Sequence, residues 1–122
     1  MFRNKSFTRF ARKAGIADVS LLREIEDAEK GLIDAGSGGG VIKQRIARPG
    51  KGKSKVFRTV ILFRERDRAI FVHGFAKSDI ANISDDELAA SKMLAAALLN
   101  YDDASIARAS ETGVLLEVVA DE

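Results

Sequence analysis

Eleven lysine and arginine residues lie within residues 40–77, where only two acidic residues, Glu65 and Asp67, accompany them. This basic segment has a local net charge of +9, although the whole chain carries only +2. Dense positive charge attracts polyanions, and a bound nucleic acid releases the counterions condensed on its phosphates. The basic segment is therefore the first candidate for a binding or catalytic site. Its cations are Lys43, Arg45, Arg48, Lys51, Lys53, Lys55, Arg58, Arg64, Arg66, Arg68 and Lys77.

Three lysines, Lys51, Lys53 and Lys55, alternate with small residues over residues 49–55, a stretch that contains two glycines. Glycine lets a backbone approach a ligand closely, so this predicted loop suits phosphate contact. The structural alternative is a solvated hairpin tip whose lysines keep an edge strand from pairing with another chain. A P-loop is excluded, because the glycine-lysine-serine run is followed by a strand pattern rather than by a helix.

Arg58 is a lone cation in an apolar strand pattern, between Phe57 and Thr59. Removing a guanidinium from water costs free energy unless the group gains a structural partner or an anionic ligand. Arg58 is therefore a candidate anion-binding residue.

His73 lies close in sequence to Phe71, Phe75 and Lys77. Because histidine exchanges protons near neutral pH, His73 is a candidate general acid or base, or a ring that stacks on a nucleic-acid base. The structural alternative is a packed histidine with a satisfied hydrogen bond.

Composition excludes or disfavours several kinds of chemistry. The chain has no cysteine, which excludes disulfides, thiolate catalysis and sulfur-ligated metals, and its single histidine argues against a histidine-based metal site. Glu65 and Asp67 lie in a predicted turn, so we expect neither paired-carboxylate nor two-metal hydrolysis. What remains is phosphoryl chemistry driven by cations, without a metal or another cofactor. RNA suits it, because the 2′-OH supplies the nucleophile while lysine or arginine stabilises the phosphorane.

Length and composition predict one soluble globular domain over residues 1–122. Its 46% apolar and 31% charged residues are ordinary values for such a domain. No apolar run approaches the roughly 20 residues that a membrane span needs. Residues 1–14 lack the apolar centre of a signal peptide. We therefore expect a cytoplasmic protein without membrane contact.

Two helices are predicted ahead of the basic segment. The first has an apolar face and ends at Gly15, and the second is expected over residues 19–35. A glycine-rich turn, residues 36–40, leads into the sheet. The predicted buried stripe of the second helix comprises Leu21, Ile25, Ala28 and Leu32.

After the basic segment, residues 84–87 form a capping box with two further acids, so a long helix is expected from there to about residue 99. A short helix before Gly113 and a last strand over residues 114–119 follow. The predicted packing surface of the long helix comprises Leu88, Met93, Leu94, Ala95, Leu98 and Leu99.

Three antiparallel strands are predicted over residues 41–49, 56–63 and 69–75, which are rich in β-branched and aromatic residues. Residues 1–3 could form the stub of a further strand. We expect helices to cover one face of this sheet fully and the other face partly. The predicted fold class is therefore α+β.

Side-chain alternation predicts which residues share a face of each strand. Lys43 and Arg45 share one face of the first central strand. On the third strand, alternation places His73 on the same face as Phe71 and Phe75.

Charge is segregated along the chain, since residues 15–39 carry −4 and residues 78–122 carry −8, whereas residues 1–14 carry +5. A basic sheet in an acidic framework fits a polyanion held on one face. The alternative is that acidic helices pack beside the sheet and neutralise it.

Four fragments together resemble the RelE/ParE superfamily of type II toxins, in its RelE-like, HigB-type branch. They are GGGVIKQRIARPGKGKS (residues 38–54), FRTVILF (57–63), VHGFAKSDIANIS (72–84) and the following DDEL. The resemblance covers nearly the whole chain, including the two leading helices, the long helix and the VLLEV tail. It implies a compact α+β fold, with two N-terminal helices on a small, mainly antiparallel twisted sheet and with C-terminal helices.

The same resemblance implies that the protein is a metal-independent endoribonuclease, an mRNA interferase that inhibits translation, typically at the ribosome. It also implies a cognate antitoxin as partner, often with its own helix-turn-helix DNA-binding domain, in assemblies such as a toxin–antitoxin heterotetramer.

By position, the resemblance assigns catalytic roles to five residues. Lys51 and Lys53 are the phosphate clamp and a candidate base. Arg58 stabilises the phosphorane, and His73 or Lys77 is the candidate acid. The expected RNA-binding residues are Lys43, Arg45, Arg48, Lys55 and Phe75.

The chain departs from the superfamily pattern after its last central strand, where many relatives have a tyrosine near the scissile nucleotide. Residues 78–83 contain none, and Tyr101 lies too far along the chain to replace it. The opening strand, residues 1–3, is also shorter than usual. Two alternatives stay open: a ParE-like inhibitor of DNA gyrase acting by protein contact, and a nucleic-acid-binding protein without catalytic activity.

Overall fold

The computed structural model describes residues 1–48, 52–76 and 85–119, with the backbone alone for residues 47, 48 and 52–56. Four helices and six strands lie in these ranges. In chain order they are β1 (Phe2–Asn4), α1 (Lys5–Ala14), α2 (Asp18–Glu29), β2 (Ala35–Gly38), β3 (Val41–Arg48), β4 (Gly52–Arg64), β5 (Arg68–Ala76), α3 (Asp85–Leu98), α4 (Asp103–Glu111) and β6 (Leu115–Glu117). None of the described helices has the length and apolar character that a membrane crossing requires.

The six strands form one mixed sheet in the order β2-β3-β4-β5-β1-β6. β1 runs parallel to β5, and the other neighbouring pairs are antiparallel. β1 lies between β5 and β6, so segments from both halves of the chain complete the sheet. The α+β class and the mainly antiparallel sheet predicted from the sequence are confirmed.

α1 begins after Asn4, whose side-chain oxygen accepts a hydrogen bond from the Phe7 amide at 2.8 Å. Arg12 and Lys13 lie in its last turn, where positive charge complements the helix dipole. Gly15 ends the helix with a φ of 72°, which confirms the predicted stop.

α2 ends at Glu29, earlier than the predicted end near residue 35. Gly31 has a φ of 83°, and the Leu32 amide donates to the Asp27 carbonyl at 2.8 Å, a backbone turn that closes the helix. Leu32, predicted on the buried stripe, is 62% exposed. β2 replaces much of the predicted glycine turn, because its residues pair with β3.

Helices cover the two faces of the sheet unequally. α1 and α2 pack on one face, in a cluster that contains Phe7 and Phe71. α3 and α4 pack on the opposite face, in a cluster that contains Leu62, Ile70 and Leu98. On this second face Arg45 is exposed, whereas Lys43, Arg58, His73 and Phe75 are partly buried, so the face is partly covered, as expected.

The predicted packing surface of α3 is confirmed for Ala95, Leu98 and Leu99 and was wrong for Met93 and Leu94. Ser91, Ala95 and Leu98 are buried, whereas Met93 is 75% exposed and Leu94 is 39% exposed. Small inward side chains let the helix axis approach the sheet, and the larger side chains of the middle turns therefore lie on the outer surface. Ser84, the first residue of the predicted capping box, lies outside the described residues.

β5 contains a β-bulge at Val72 and His73. Val60 of β4 pairs with His73 and the next residue, Ile61, pairs with Phe71, so Val72 is the extra residue. Directly paired residues share a face, and His73 therefore lies with Val60 on the α3 side rather than with Phe71. The prediction from simple alternation was wrong here, because one extra residue reverses the faces of the residues that follow.

β4 begins at Gly52, so part of the predicted loop over residues 49–55 is strand. Arg48 of β3 pairs with Gly52 after a register shift, which extends the β3–β4 hairpin. The backbone of Lys53 and Lys55 therefore belongs to β4.

Candidate functional site

Predicted site residues of β3, β4 and β5 lie in two adjacent rows that run across these three strands. In one row Lys43, Val60 and His73 are direct partners; in the next, Arg45, Arg58 and Phe75 are. Direct partners share a face and have Cβ atoms roughly 5 Å apart. We call this surface, formed by Lys43, Arg45, Arg58, His73 and Phe75, the cationic face.

Arg58 lies at the centre of the second row, on an interior strand. Its Nε is buried and has no hydrogen-bond partner among the residues that the structure describes. Such a group costs roughly 1–3 kcal/mol, and more when it is charged. A bound anion would supply the missing acceptor once the side chain moves to expose this atom.

Arg45 extends into solvent from the same row, with 59% of its side chain exposed. Asp34 lies beside it: Oδ2 accepts from the Arg45 backbone N–H at 2.6 Å, and Oδ1 lies 3.4 Å from Arg45 Nη2. Asp34 and three cationic residues line a cavity of about 130 Å³. Its lining residues are Asp34, Ala35, Lys43, Gln44, Arg45 and Arg58.

Gln44 positions Asp34 from the opposite side of the sheet. Its side-chain amide is buried, and its Nε2 donates to the carbonyl oxygens of Glu24 at 3.3 Å and Leu32 at 3.1 Å. Its Oε1 accepts from the Asp34 amide at 2.8 Å. These bonds hold the segment after α2 against β3, which places the Asp34 carboxylate beside Arg45.

An acidic cavity of about 440 Å³ adjoins the cationic face, with Glu24, Asp27 and Asp34 among its lining residues. Partial burial raises the pKa of Glu24 to about 7, and repulsion from Asp27 and Asp34 adds to the rise. Negative charge repels a polyanion, so this cavity marks a border of the cationic face.

His73 and Phe75 supply the rings of the cationic face, and both are partly buried. Phe75 packs against the apolar cluster beneath α3. The β5 bulge places His73 on this face, beside the Arg45–Arg58–Phe75 row. A partly exposed imidazole in this position can stack on a base or exchange a proton with a ligand.

Two cations at the other end of the basic segment, Arg64 and Arg68, have structural partners. Arg64 pairs with Asp67 at 3.2 Å. Arg68 donates to the carbonyl oxygens of Leu98 at 2.7 Å and Tyr101 at 2.8 Å, which caps the C-terminus of α3. The alternative that acidic helices neutralise the basic sheet has one example here, because Asp103 of α4 lies 3.5 Å from Arg68 Nη2. Asp67 and Asp34 belong to connections rather than to helices.

Five predicted site residues lie wholly or partly outside the part of the chain that the structure describes. Lys51 and Lys77 lie outside the described residues, and so do the side chains of Arg48, Lys53 and Lys55. The described backbone of the latter three continues β3 and β4 beyond the Arg45–Arg58 row. Their roles stay predictions. Within the described ranges, no group of three or more His, Asp and Glu residues is arranged to hold a metal ion.

Asp34 is the residue at this site that the sequence pattern did not reveal, because the predicted second helix extends over it. The usable signal is Gly31, since a glycine at the end of an apolar stripe often ends a helix. A helix ended there would have left Asp34 in the connection that enters the sheet.

Comparison with known proteins identifies the family. A family model described as "RelE toxin of RelE / RelB toxin-antitoxin system" matches residues 1–118, which span every described helix and strand. No curated protein and no solved structure matches significantly. The α+β architecture is consistent with RelE-like toxins. The chain therefore belongs to the RelE toxin family of toxin–antitoxin systems.

Proposed function

We propose that this toxin is a metal-independent endoribonuclease of the HigB-type branch that cleaves mRNA at the translating ribosome. The observation that carries the proposal is the buried Nε of Arg58 at the centre of the cationic face, which has no hydrogen-bond partner among the described residues. A phosphate oxygen supplies the acceptor that this donor requires once the Arg58 side chain moves to expose it, and Arg45, directly opposite on β3, supplies a second cation. Family membership supports the substrate, since RelE proteins are generally ribosome-dependent endoribonucleases.

The cationic face suits binding of a single RNA strand. Lys43 and Arg45 contact the phosphates, and Phe75, which is partly exposed, offers a ring on which a base stacks. Arg58 donates to the non-bridging oxygens of the reacting phosphate. Its contribution to rate comes from the charge that these oxygens gain in the pentavalent phosphorane.

In the reaction, the RNA 2′-oxygen forms a bond to phosphorus and the bond from phosphorus to the 5′-oxygen breaks. The products are a 2′,3′-cyclic phosphate and a 5′-hydroxyl. Lys51 or Lys53 takes the proton of the 2′-OH. His73 or Lys77 donates a proton to the leaving 5′-oxygen. No metal ion is needed to balance these steps.

The family description implies a cognate antitoxin as partner. We further propose that this antitoxin carries a helix-turn-helix domain, that toxin and antitoxin assemble as a heterotetramer, and that the toxin works in the cytoplasm, where mRNA and ribosomes are found.

Arg58→Gln tests the proposal, because it removes the guanidinium and keeps a polar side chain. We expect it to relieve the growth arrest that follows induced expression and to lower mRNA cleavage about a hundredfold or more, as measured by primer extension. Arg12→Gln is the matched control, since Arg12 is an exposed cation on α1, on the opposite side of the sheet. Circular dichroism checks that both variants fold.

Three outcomes would contradict the proposal. Growth arrest that persists in Arg58→Gln would remove Arg58 from the mechanism. Loss of DNA supercoiling with intact mRNA would identify a gyrase inhibitor instead. Salt-dependent RNA binding without a cleaved product, even with ribosomes present, would identify a nucleic-acid-binding protein, the alternative that the missing tyrosine in residues 78–83 favours.

A further inference from the structure

Asp34 lines the cavity of the cationic face together with three cationic residues, and its carboxylate contacts Arg45. We infer that Asp34 is an intramolecular competitor of RNA for Arg45. Its carboxylate takes the position of a phosphate oxygen in the RNA-free protein, and RNA must displace it from the guanidinium to engage Arg45. The inference rests on the proposed function, because RNA is the ligand that competes.

The two oxygens of Asp34 make contacts of different strength. Oδ2 accepts from the Arg45 backbone N–H at 2.6 Å, a short charge-assisted bond that anchors the carboxylate. Oδ1 lies 3.4 Å from Arg45 Nη2, in a pair whose side chains are 59% and 35% exposed. A long, exposed contact of this kind is weak. A phosphate can therefore replace it while the carboxylate stays anchored to the backbone.

The end of β2 explains why the carboxylate is anchored there. β2 begins at Ala35, which pairs with Lys43, so Arg45 lies beyond the last paired position of β3 on this side. The Asp34 side chain supplies the acceptor that a longer β2 would have supplied to the Arg45 amide. Gln44 holds the Asp34 amide at 2.8 Å, so the residue is fixed at both its backbone and its side chain.

The charge of Asp34 affects how strongly an anion binds beside Arg45 and Arg58. Arg45 and Arg58 are direct partners on neighbouring strands, where like charges repel. Asp34 offsets that repulsion while the cavity holds no anion. Once a phosphate binds, the fixed charge of Asp34 repels it. Weakly held polyanions are thus disfavoured, and an RNA that makes further contacts across the cationic face is favoured.

The test measures binding of a single-stranded RNA oligonucleotide with 2′-O-methyl groups on every ribose, which blocks cleavage, to the full-length toxin. Fluorescence anisotropy over a series of KCl concentrations gives the affinity and its salt dependence. Asp34→Asn keeps an oxygen that accepts from the Arg45 amide but removes the charge. We expect about threefold tighter binding at low salt, and a slope of log K against log[KCl] that is steeper by about 0.7, because one more cation is free to release a counterion.

Two controls connect the effect to the pair. Asp67→Asn is matched, since Asp67 forms an exposed pair with Arg64 at 3.2 Å at the far end of β4, and it should leave the affinity unchanged. In an Arg45→Gln background, Asp34→Asn should lose its effect on the slope. Unfolding curves check the fold, and Asp34→Ser, which also keeps an acceptor without the charge, replaces Asp34→Asn if that variant does not fold.

The outcomes separate this inference from the proposed function. An unchanged slope, or weaker binding, in Asp34→Asn while the parent protein binds RNA would overturn the competitor role alone. If Asp34→Asn still steepened the slope in the Arg45→Gln background, that result would also overturn the competitor role alone. Absence of salt-dependent RNA binding by the parent protein would overturn both the competitor role and the proposed RNA site.

Discussion

Two arginines of the central strands show how partners, rather than burial, separate structural from functional residues. The side chain of Arg68 is only 8% exposed, and its guanidinium bonds the carbonyl oxygens of Leu98 and Tyr101. The Nε of Arg58 is also buried, yet among the described residues it has no partner. Burial of a charge is tolerated at Arg68 because acceptors are built in. The Nε of Arg58 has no acceptor among the described residues, which is why Arg58 is the stronger candidate for a ligand contact.

Glu24, which lines the acidic cavity, offers a test at the scale of one residue. Partial burial, with repulsion from Asp27 and Asp34, raises its pKa to about 7 from an ordinary value of 4.5. The folded protein thus holds the proton more tightly than the unfolded chain does. Ionised Glu24 therefore lowers the free energy of unfolding progressively as pH rises from 4.5 to about 7, and fully above that range. Because the side chain is partly exposed, we expect a loss of only about 1 kcal/mol.

Glu24→Gln should accordingly raise the unfolding temperature by about 3–5 °C at about pH 8, and change it little at about pH 4. Thermal unfolding followed by circular dichroism at both pH values measures this. Glu26→Gln is the matched control, since Glu26 is exposed on the same helix. Equal stabilisation by the two substitutions at about pH 8 would show that the effect reflects net charge rather than the environment of Glu24.

At the scale of elements, the β5 bulge decides which side chains reach the cationic face. It places His73 opposite Val60, while Phe71 stays in the core beneath α1. It also directs the bare Cα of Gly74 toward α1, in the row shared with Thr59. The packing of α1 on the sheet and the placement of His73 therefore depend on the same local irregularity.

Gly74→Ala tests this packing, because an added Cβ would overlap ring atoms of Phe10. That ring is held by Phe57, at 5.2 Å between centroids, and by Phe7, at 5.8 Å, so it has little room to move. We expect a loss of about 1–3 kcal/mol in the free energy of unfolding, measured by denaturant titration. Gly36→Ala is the control, since nothing lies within 4 Å of a Cβ built there. Equal losses for the two variants would contradict the close approach of α1.

At the scale of the whole molecule, positive and negative charges lie on separate surfaces, although the net charge is close to zero. The net charge is only +2, but the cationic face collects cations from β3 and β4. The acidic cavity after α2 borders it. Polyanion binding should therefore depend on where a cation lies rather than on the total charge.

Arg45→Gln and Arg12→Gln change the total charge equally and so test this dependence. We expect Arg45→Gln to weaken binding of the 2′-O-methyl RNA about three- to tenfold and to make its salt dependence shallower, because a phosphate contact is lost. Arg12→Gln, on exposed α1, should have little effect. Equal weakening by both variants in the anisotropy assay would mean that net charge governs binding.

Local patterns predicted much of the fold, because caps, glycine conformations and strand alternation act within a few residues. The end of α1 at Gly15, with a φ of 72°, is an example. Predictions were wrong where packing overrode periodicity. Leu32 continued the apolar spacing of α2 but lies beyond its end, and Met93 continued that of α3 but is exposed.

The amino-acid sequence alone determined that a dense set of cations lies on β-strands, that Arg58 interrupts an apolar strand, and that cysteine chemistry is absent. Only the tertiary structure decided that His73 joins Arg58 on one face, that Asp34 contacts Arg45, and that Arg68 is structural. The physical reason is that the first set depends on residue type and near neighbours. The second depends on strand register, one bulge and contacts between distant segments, such as the bond from Arg68 to Leu98 across 30 positions.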